Sequence, residues 1–234
     1  VIEFVPLPDQ GRRFSNNRRV RLSDCGPDGL LRLDGLARYC QDVATDDWDH
    51  VGGQELTWVV RRTAVRLVTG GRWPHFGERV VMTTWCGGTG AAWAERRTNL
   101  AVDDQVVVET ASLWVPLNAA GQPQRLPGYF FDLYGEAAQG RKVSGRVTLT
   151  PPTADAARRP WPLRRADFDV VDHVNNAAIW QAASEAEPGA VTEAVVIFHG
   201  PLREGDEVTL ATSAQWMWLL VGDEVRVSGE FSSA

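Results

Sequence analysis

A chain of 234 residues with 44% hydrophobic and 23% charged content has ordinary globular composition, which excludes wholesale disorder. Its net charge of -6 argues against general nucleic-acid binding, because neutralising phosphates requires a basic face. No stretch reaches the roughly 18 uninterrupted apolar residues of a membrane span and no signal-peptide core is present, so no membrane span and a cytoplasmic protein are expected.

In chain order, Arg18 to Leu22 has the pattern of a short strand, and a turn rich in Asp, Gly and Pro follows from Asp24 to Gly29. Leu31, Leu33, Leu36, Tyr39, Cys40 and Val43 then fall close to helical spacing, with Gln41 and Asp42 in the same segment. Trp58 to Val60, Ala64 to Val68, Arg79 to Trp85, Ala92 to Leu100 and Val106 to Leu117 alternate or run apolar and are punctuated by Gly, Asp and Pro, as strands of an antiparallel meander are. From Gln122 to Arg159 the chain loosens into Pro, Gly, Ala and charge, the composition of a crossover or linker. A second unit opens near Trp161. Its stretch to Asp169 reads as strand and turn, Asn175 to Ala186 as a helix ended by Pro188 and Gly189, and Ala194 to Phe198, Glu207 to Ala214 and Glu224 to Phe231 as strands.

Each half thus places an Asp-rich turn before a helix and several strands after it, a weak internal repeat. A helix wrapped by an antiparallel sheet is an α+β arrangement, and two such units side by side would cover each other's edges. Cys25, Cys40 and Cys86 are odd in number and scattered, which suggests buried thiols and neither a disulfide framework nor a metal site. Paired arginines recur at 12–13, 18–19, 61–62, 96–97, 158–159 and 164–165. They read either as solvated strand ends and loops or as a basic rim that meets an acidic carrier protein.

The segment richest in chemistry runs from Asp167 to Asn176, at a strand-to-helix transition. A helix N-terminus offers unpaired N–H groups and partial positive charge to an oxyanion developing on a thioester carbonyl. Asp169 and His173 could activate water beside it, and Asn175 and Asn176 could hold the turn or orient substrate. The same residue types are also what plain N-capping requires. Competing chemistries lack their signatures: the chain has no G-x-S-x-G elbow, Walker loop, dinucleotide-binding glycine motif or closely spaced His/Cys set, and no cofactor is expected.

Asp169 to Asn176 resembles the D-x-x-x-H-V-N-N signature of the plant and bacterial acyl-ACP thioesterases. The likeness extends in family order to Leu36 to Ala44 with its Gln41-Asp42 pair, Trp58 to Arg62, Trp73 to Trp85 with Gly77-Glu78, and Ala111 to Val115. The resemblance implies a tandem (double) hotdog, two long helices each wrapped by an antiparallel sheet, with the sheets joined. Its repeats would cover 1–125 and 161–234, with a linker over 126–160. It implies a fatty-acid-releasing hydrolase of fatty acid biosynthesis, a partner that is acyl carrier protein or acyl-CoA, and a monomer or homodimer. An acyl groove in the first half could be lined by Trp58, Trp85, Trp93 and Trp114, four of ten tryptophans.

Two positions depart from the family pattern. Val171 stands where its asparagine precedes the histidine by two residues, and Pro201 stands where an acid follows the second helix. These departures imply a reduced site built on Asp169 and His173, or a rewired one using His199 or Glu204. They also keep open a protein that binds acyl-ACP or acyl-CoA without hydrolysis, or a hotdog dehydratase of hydroxyacyl thioesters.

Overall fold

In the computed structural model, which describes residues 2–53, 57–186 and 191–233, the apolar alternation of the chain is resolved into a single ten-stranded sheet. Its strands are β1 (Arg13–Arg19), β2 (Thr57–Leu67), β3 (Arg79–Thr89), β4 (Ala94–Val102), β5 (Gln105–Leu117), β6 (Ala157–Pro160), β7 (Val191–Phe198), β8 (Val208–Ser213), β9 (Trp216–Val221) and β10 (Glu224–Ser233). They lie in the order β1-β3-β4-β5-β2-β7-β10-β9-β8-β6. The order is a palindrome in repeat terms: each half runs first, third, fourth, fifth, second strand toward the middle. The halves meet where β2 pairs antiparallel with β7, from Arg62 opposite Ile197 to Arg66 opposite Glu193. That junction makes the two sheets one surface and removes both inner edges.

Three helices lie on this framework: α1 (Leu33–His50), α2 (Gly128–Ala138) and α3 (Asn176–Ala186). Leu33, Leu36, Tyr39 and Val43 form the buried stripe of α1. On α3 the buried face is Ala177, Ile179, Trp180, Ala182 and Ala183, whose small members let α1 and α3 approach each other. The main core unites Leu36, Tyr39 and Val43 with Val80, Met82 and Leu100 of the first sheet and with Ile179, Trp180, Val196 and Met217 of the second half.

Several elements differ from the sequence expectation. The first strand lies earlier, at β1, and Leu22–Asp24 form a short 3-10 turn. The two strands expected over 58–60 and 64–68 are one strand, β2, carried through a bulge between Val60 and Arg62 by continuous pairing with β5. The linker over 126–160 contains α2 and β6. Its Pro and Gly residues read as breakers, yet Pro127 sits at the N-cap and Gln139 closes α2 in the left-handed conformation, positions where helices end. Phe130, Tyr134 and Ala138 of α2 pack in a cluster with Cys86 and Ala94, against Trp48 and Trp58.

Of the strand and turn expected over 161–169, the turn is the 3-10 turn Arg165–Asp167, and the strand lies earlier, as β6. β9 was hidden because both of its faces are buried, Met217 and Leu219 in the main core and Trp218 and Leu220 in a separate cluster, so no polar alternation marks it. Pro188 and Gly189, expected to end the second helix, lie outside the described residues. None of the described helices is long and apolar enough to cross a membrane.

The arginine pairs are spent largely on the protein's own acids. Arg12 and Arg96 converge on buried Asp47, Arg62 and Arg97 on Glu95, and Arg18, Arg159 and Arg164 on Asp42, Glu185 and Asp167. Among the described residues the pair 96–97 commits both members to acids and each of the other five pairs commits one, which leaves a thinner basic rim than the sequence suggests.

Candidate active site at the start of α3

The turn leading into α3 is built by its own short-range hydrogen bonds. Buried Asp167 accepts from the Arg164 backbone N–H at 2.8 Å and from its guanidinium at 2.7 Å, and the Asp167 carbonyl accepts the Asn175 N–H at 2.7 Å. Within this clamp the Asp169 N–H donates to the His173 carbonyl at 3.0 Å and the Asp172 N–H to the Asp169 carbonyl at 3.1 Å. Asp172 takes φ 59°, the left-handed conformation that closes so tight a turn. The Val174 N–H donates to the Leu202 carbonyl at 3.0 Å, which holds the loop after β7 against the turn.

Asn175 is the helix cap. Its side-chain oxygen accepts the Ala177 N–H at 2.8 Å, and its amide donates to an Asp169 carboxylate oxygen at 3.2 Å. The other Asp169 oxygen accepts the Val171 N–H at 3.1 Å. The structure therefore brings Asp169 and Asn175 together and joins Asp169 to His173 through backbone only. The half-buried His173 ring has no hydrogen-bond partner among the described residues. Its nitrogens remain available to substrate or water, and catalytic hydrogen bonds commonly tighten only when substrate binds.

The two departures from the family pattern lie at this turn. Val170 and Val171 form its exposed tip, and Pro201 precedes Leu202, the residue bonded to Val174. Of the two proposed substitutes, His199 is tied to β10: its Nε2 lies 2.9 Å from the Ser228 hydroxyl and its N–H donates to the Arg226 carbonyl. Burial, and then the nearby Arg61 charge, lower the His199 pKa. Glu204 is exposed and makes no hydrogen bond or ion pair among the described residues. Neither reaches Asp169 or His173 by a hydrogen bond among those residues.

Beside the first turn of α3 a small cavity opens between α1, α3 and the sheet. It encloses ≈ 30 Å³, room for ordered water rather than an extended fatty chain. Asn176, Ala177 and Trp180 form the α3 wall, Ala37, Cys40 and Gln41 the α1 wall, and Val60, Thr63, Arg96, Thr98, Ser112 and Trp114 the floor. Of the motif, then, Asn176 reaches the cavity wall, while Asp169, His173 and Asn175 stand immediately before it in the turn.

Only Trp114 of the four candidate groove tryptophans lines this cavity. Trp58 packs edge-on to Trp48 and against Phe130 of α2. Trp93 donates to the Val143 carbonyl and anchors the linker. Trp85 is 1% exposed and pairs across β3 and β4 with Arg97, on the opposite face from its neighbour Thr84 by strand alternation. The sequence reading passed over Cys40, Thr63, Arg96, Thr98 and Ser112. The available signal was polar residues on the inward face of otherwise apolar strands. Burial pushes the Cys40 thiol up to about 12, which makes it an inert wall rather than a nucleophile.

Comparison with known proteins agrees with this architecture. Residues 11–127 match the family model described as the acyl-ACP thioesterase N-terminal domain. The chain belongs to the acyl-ACP thioesterase family. An uncharacterized protein of Mycobacterium tuberculosis is 27% identical over 97% of this chain and 94% of its own length. A chloroplastic acyl-carrier-protein hydrolase of Cuphea viscosissima is 22% identical, covering 73% of this chain and 46% of its own, so the match spans about half of the plant relative.

Among solved structures, the 12:0-ACP thioesterase from Umbellularia californica superposes with a TM-score of 0.76 at 18% identity, covering 95% of this chain and 97% of its own. An acyl-ACP thioesterase from Bacteroides thetaiotaomicron gives a TM-score of 0.79 at 15% identity, covering 94% and 96%. These likenesses establish the double hotdog fold for this member of the acyl-ACP thioesterase family.

Proposed function

We propose that this protein hydrolyses acyl thioesters carried by acyl carrier protein or coenzyme A. The observation that carries the reading is the first turn of α3, which forms one wall of the interhelical cavity through Asn176 and Ala177 directly after the Asp169-to-Asn176 motif. A thioester carbonyl held there would meet the positive end of the helix as its oxygen gains charge. His173 takes the proton of an attacking water and returns it to the departing thiolate. Asp169, through Asn175, keeps the turn and helix start in place. No covalent intermediate on the protein is needed.

The test is thiol release from a panel of acyl-ACP and acyl-CoA thioesters, followed together with substrate binding, with His173→Ala as control. Release that the substitution abolishes supports hydrolysis. Saturable binding without release would instead support a thioester-binding protein, the reading that Val171 and Pro201 favour by removing two polar groups. Loss of water from a hydroxyacyl substrate with no free acid would identify a dehydratase.

A further inference from the structure

The floor of the cavity sets polar groups among apolar ones: Thr63, Arg96, Thr98 and Ser112 stand beside Val60 and Trp114. Thr63, Ser112 and Arg96 are direct cross-strand neighbours on β2, β5 and β4, and Thr98 lies two residues beyond Arg96 on the same face. The Thr63 and Ser112 hydroxyls, 3.0 Å apart, can share only one hydrogen between them, which leaves donor and acceptor capacity over the cavity. Most telling is Trp114: its indole Nε1 is buried and has no hydrogen-bond partner among the described residues, yet the ring lines the cavity. A buried N–H without an acceptor is costly, and a ligand oxygen that reaches it recovers that cost.

The space beside this floor is tightly packed. Leu36, Tyr39 and Met82 are each 1% exposed and Val43 and Leu100 are 0% exposed, so the layer between α1 and the first sheet is filled with side chains. With the carbonyl at the first turn of α3, the Thr63 and Ser112 hydroxyls and the Trp114 ring share with it one cavity of ≈ 30 Å³.

From these contacts we infer that the site selects short acyl groups bearing an oxygen close to the carbonyl, β-oxoacyl or β-hydroxyacyl thioesters, over saturated chains of the same length. The Trp114 indole N–H donates to that oxygen, and the Thr63 and Ser112 hydroxyls complete its surroundings. The inference rests on the thioester reading above, since it uses the same site. A site built to hydrogen-bond a substrate oxygen discriminates strongly against the analogue that lacks it, because its own buried polar group is then left unpaired.

The experiment compares hexanoyl, β-oxohexanoyl and β-hydroxyhexanoyl thioesters, and the matching dodecanoyl set, by kcat/KM on the wild-type protein and by Kd on the His173→Ala protein. The expected result is a preference of about tenfold or more for the oxygenated hexanoyl substrates, with the dodecanoyl set weaker throughout. Trp114→Phe keeps a ring and deletes the donor, and Ser112→Ala deletes one hydroxyl; each narrows that ratio. Equal or better use of saturated hexanoyl, or of the dodecanoyl chains, overturns the selectivity while leaving hydrolysis intact. If no thioester is cleaved, the hydrolytic reading fails, and the Kd ratios alone decide the selectivity.

Discussion

The turns that open α1 and α3 share one backbone and differ in what they leave exposed. In both, an aspartate closes a 3-10 turn and its carbonyl accepts an N–H from the residue capping the helix: Asp24 with Arg32, Asp167 with Asn175. Gly26 N–H to Leu30 carbonyl repeats as Asp169 to His173, and Leu31 N–H to Pro74 carbonyl repeats as Val174 to Leu202. Gly29, at φ 79°, occupies the place of Asp172. The side chains diverge where chemistry would occur. Leu30 stands for His173, Gly26 for Asp169, Arg32 for Asn175 and Asp34 for Ala177.

That last pair separates the two helix starts electrostatically. Asp34 is 0% exposed in the first turn of α1, where it takes up the positive end of the helix. Burial would raise its pKa, but hydrogen bonds from Arg32 and Arg38 hold it below the usual carboxylate range. An incoming oxyanion would meet a negative charge already in place. At α3 the same position is Ala177, small and neutral, and it forms cavity wall. One repeat sets a buried carboxylate in the first turn of its helix, and the other has no acid there.

The comparison can be broken most severely at His173. His173→Ala is expected to lower single-turnover thioester hydrolysis by about 10² to 10⁴, whereas Leu30→Ala leaves that rate unaffected apart from any loss of folded protein. Ala177→Asp copies the first turn's charge into the second, and a drop of about 10² to 10³ in hydrolysis is expected from opposing the developing oxyanion. A wild-type rate for folded Ala177→Asp would remove the helix start from the mechanism.

The stability contrasts are smaller. Arg32→Ala strips one partner from buried Asp34 and should cost about 2 kcal/mol in a urea titration. Arg164→Ala, on the far more exposed partner of Asp167, should cost about 1 kcal/mol or less. Asp172→Gly gives the second turn the residue that the first already has, and should add up to about 1 kcal/mol by relieving the left-handed conformation.

The smallest effect concerns acid. Hydrogen bonding from Arg72, aided by the His75 N–H, lowers the Glu78 pKa to about 2. The folded state therefore binds this proton less readily than the unfolded chain, so the contribution is complete above the ordinary Glu value and is lost as pH falls toward about 2. Glu78→Gln should flatten that acid limb of the stability curve, as read by thermal melts across the range.

Much of the fold was legible because its elements carry strong local signals. The stripe of α1 is amphipathic, and the strands from Arg79 to Leu117 are apolar runs bounded by turn residues. β9 was illegible because both its faces are buried, and α2 because Pro127, Gly128 and Gly140 stand at its ends, where breakers and caps look alike, and Gly135 interrupts it. At the site, the Asp169-to-Asn176 segment could be picked out from residue types at a helix start. That the Asp169 carboxylate bonds Asn175 rather than the His173 ring depends on backbone dihedrals that residue types do not specify.

The sequence alone determined the two-helix, two-sheet repeat and the location of the motif, because hydrophobic period and turn chemistry act over a few residues. The tertiary structure decided which helix start borders the cavity, which tryptophan faces it, and how little room lies beneath α1. Those depend on side chains far apart in the chain meeting across a packed interior, where volume and charge must be settled together.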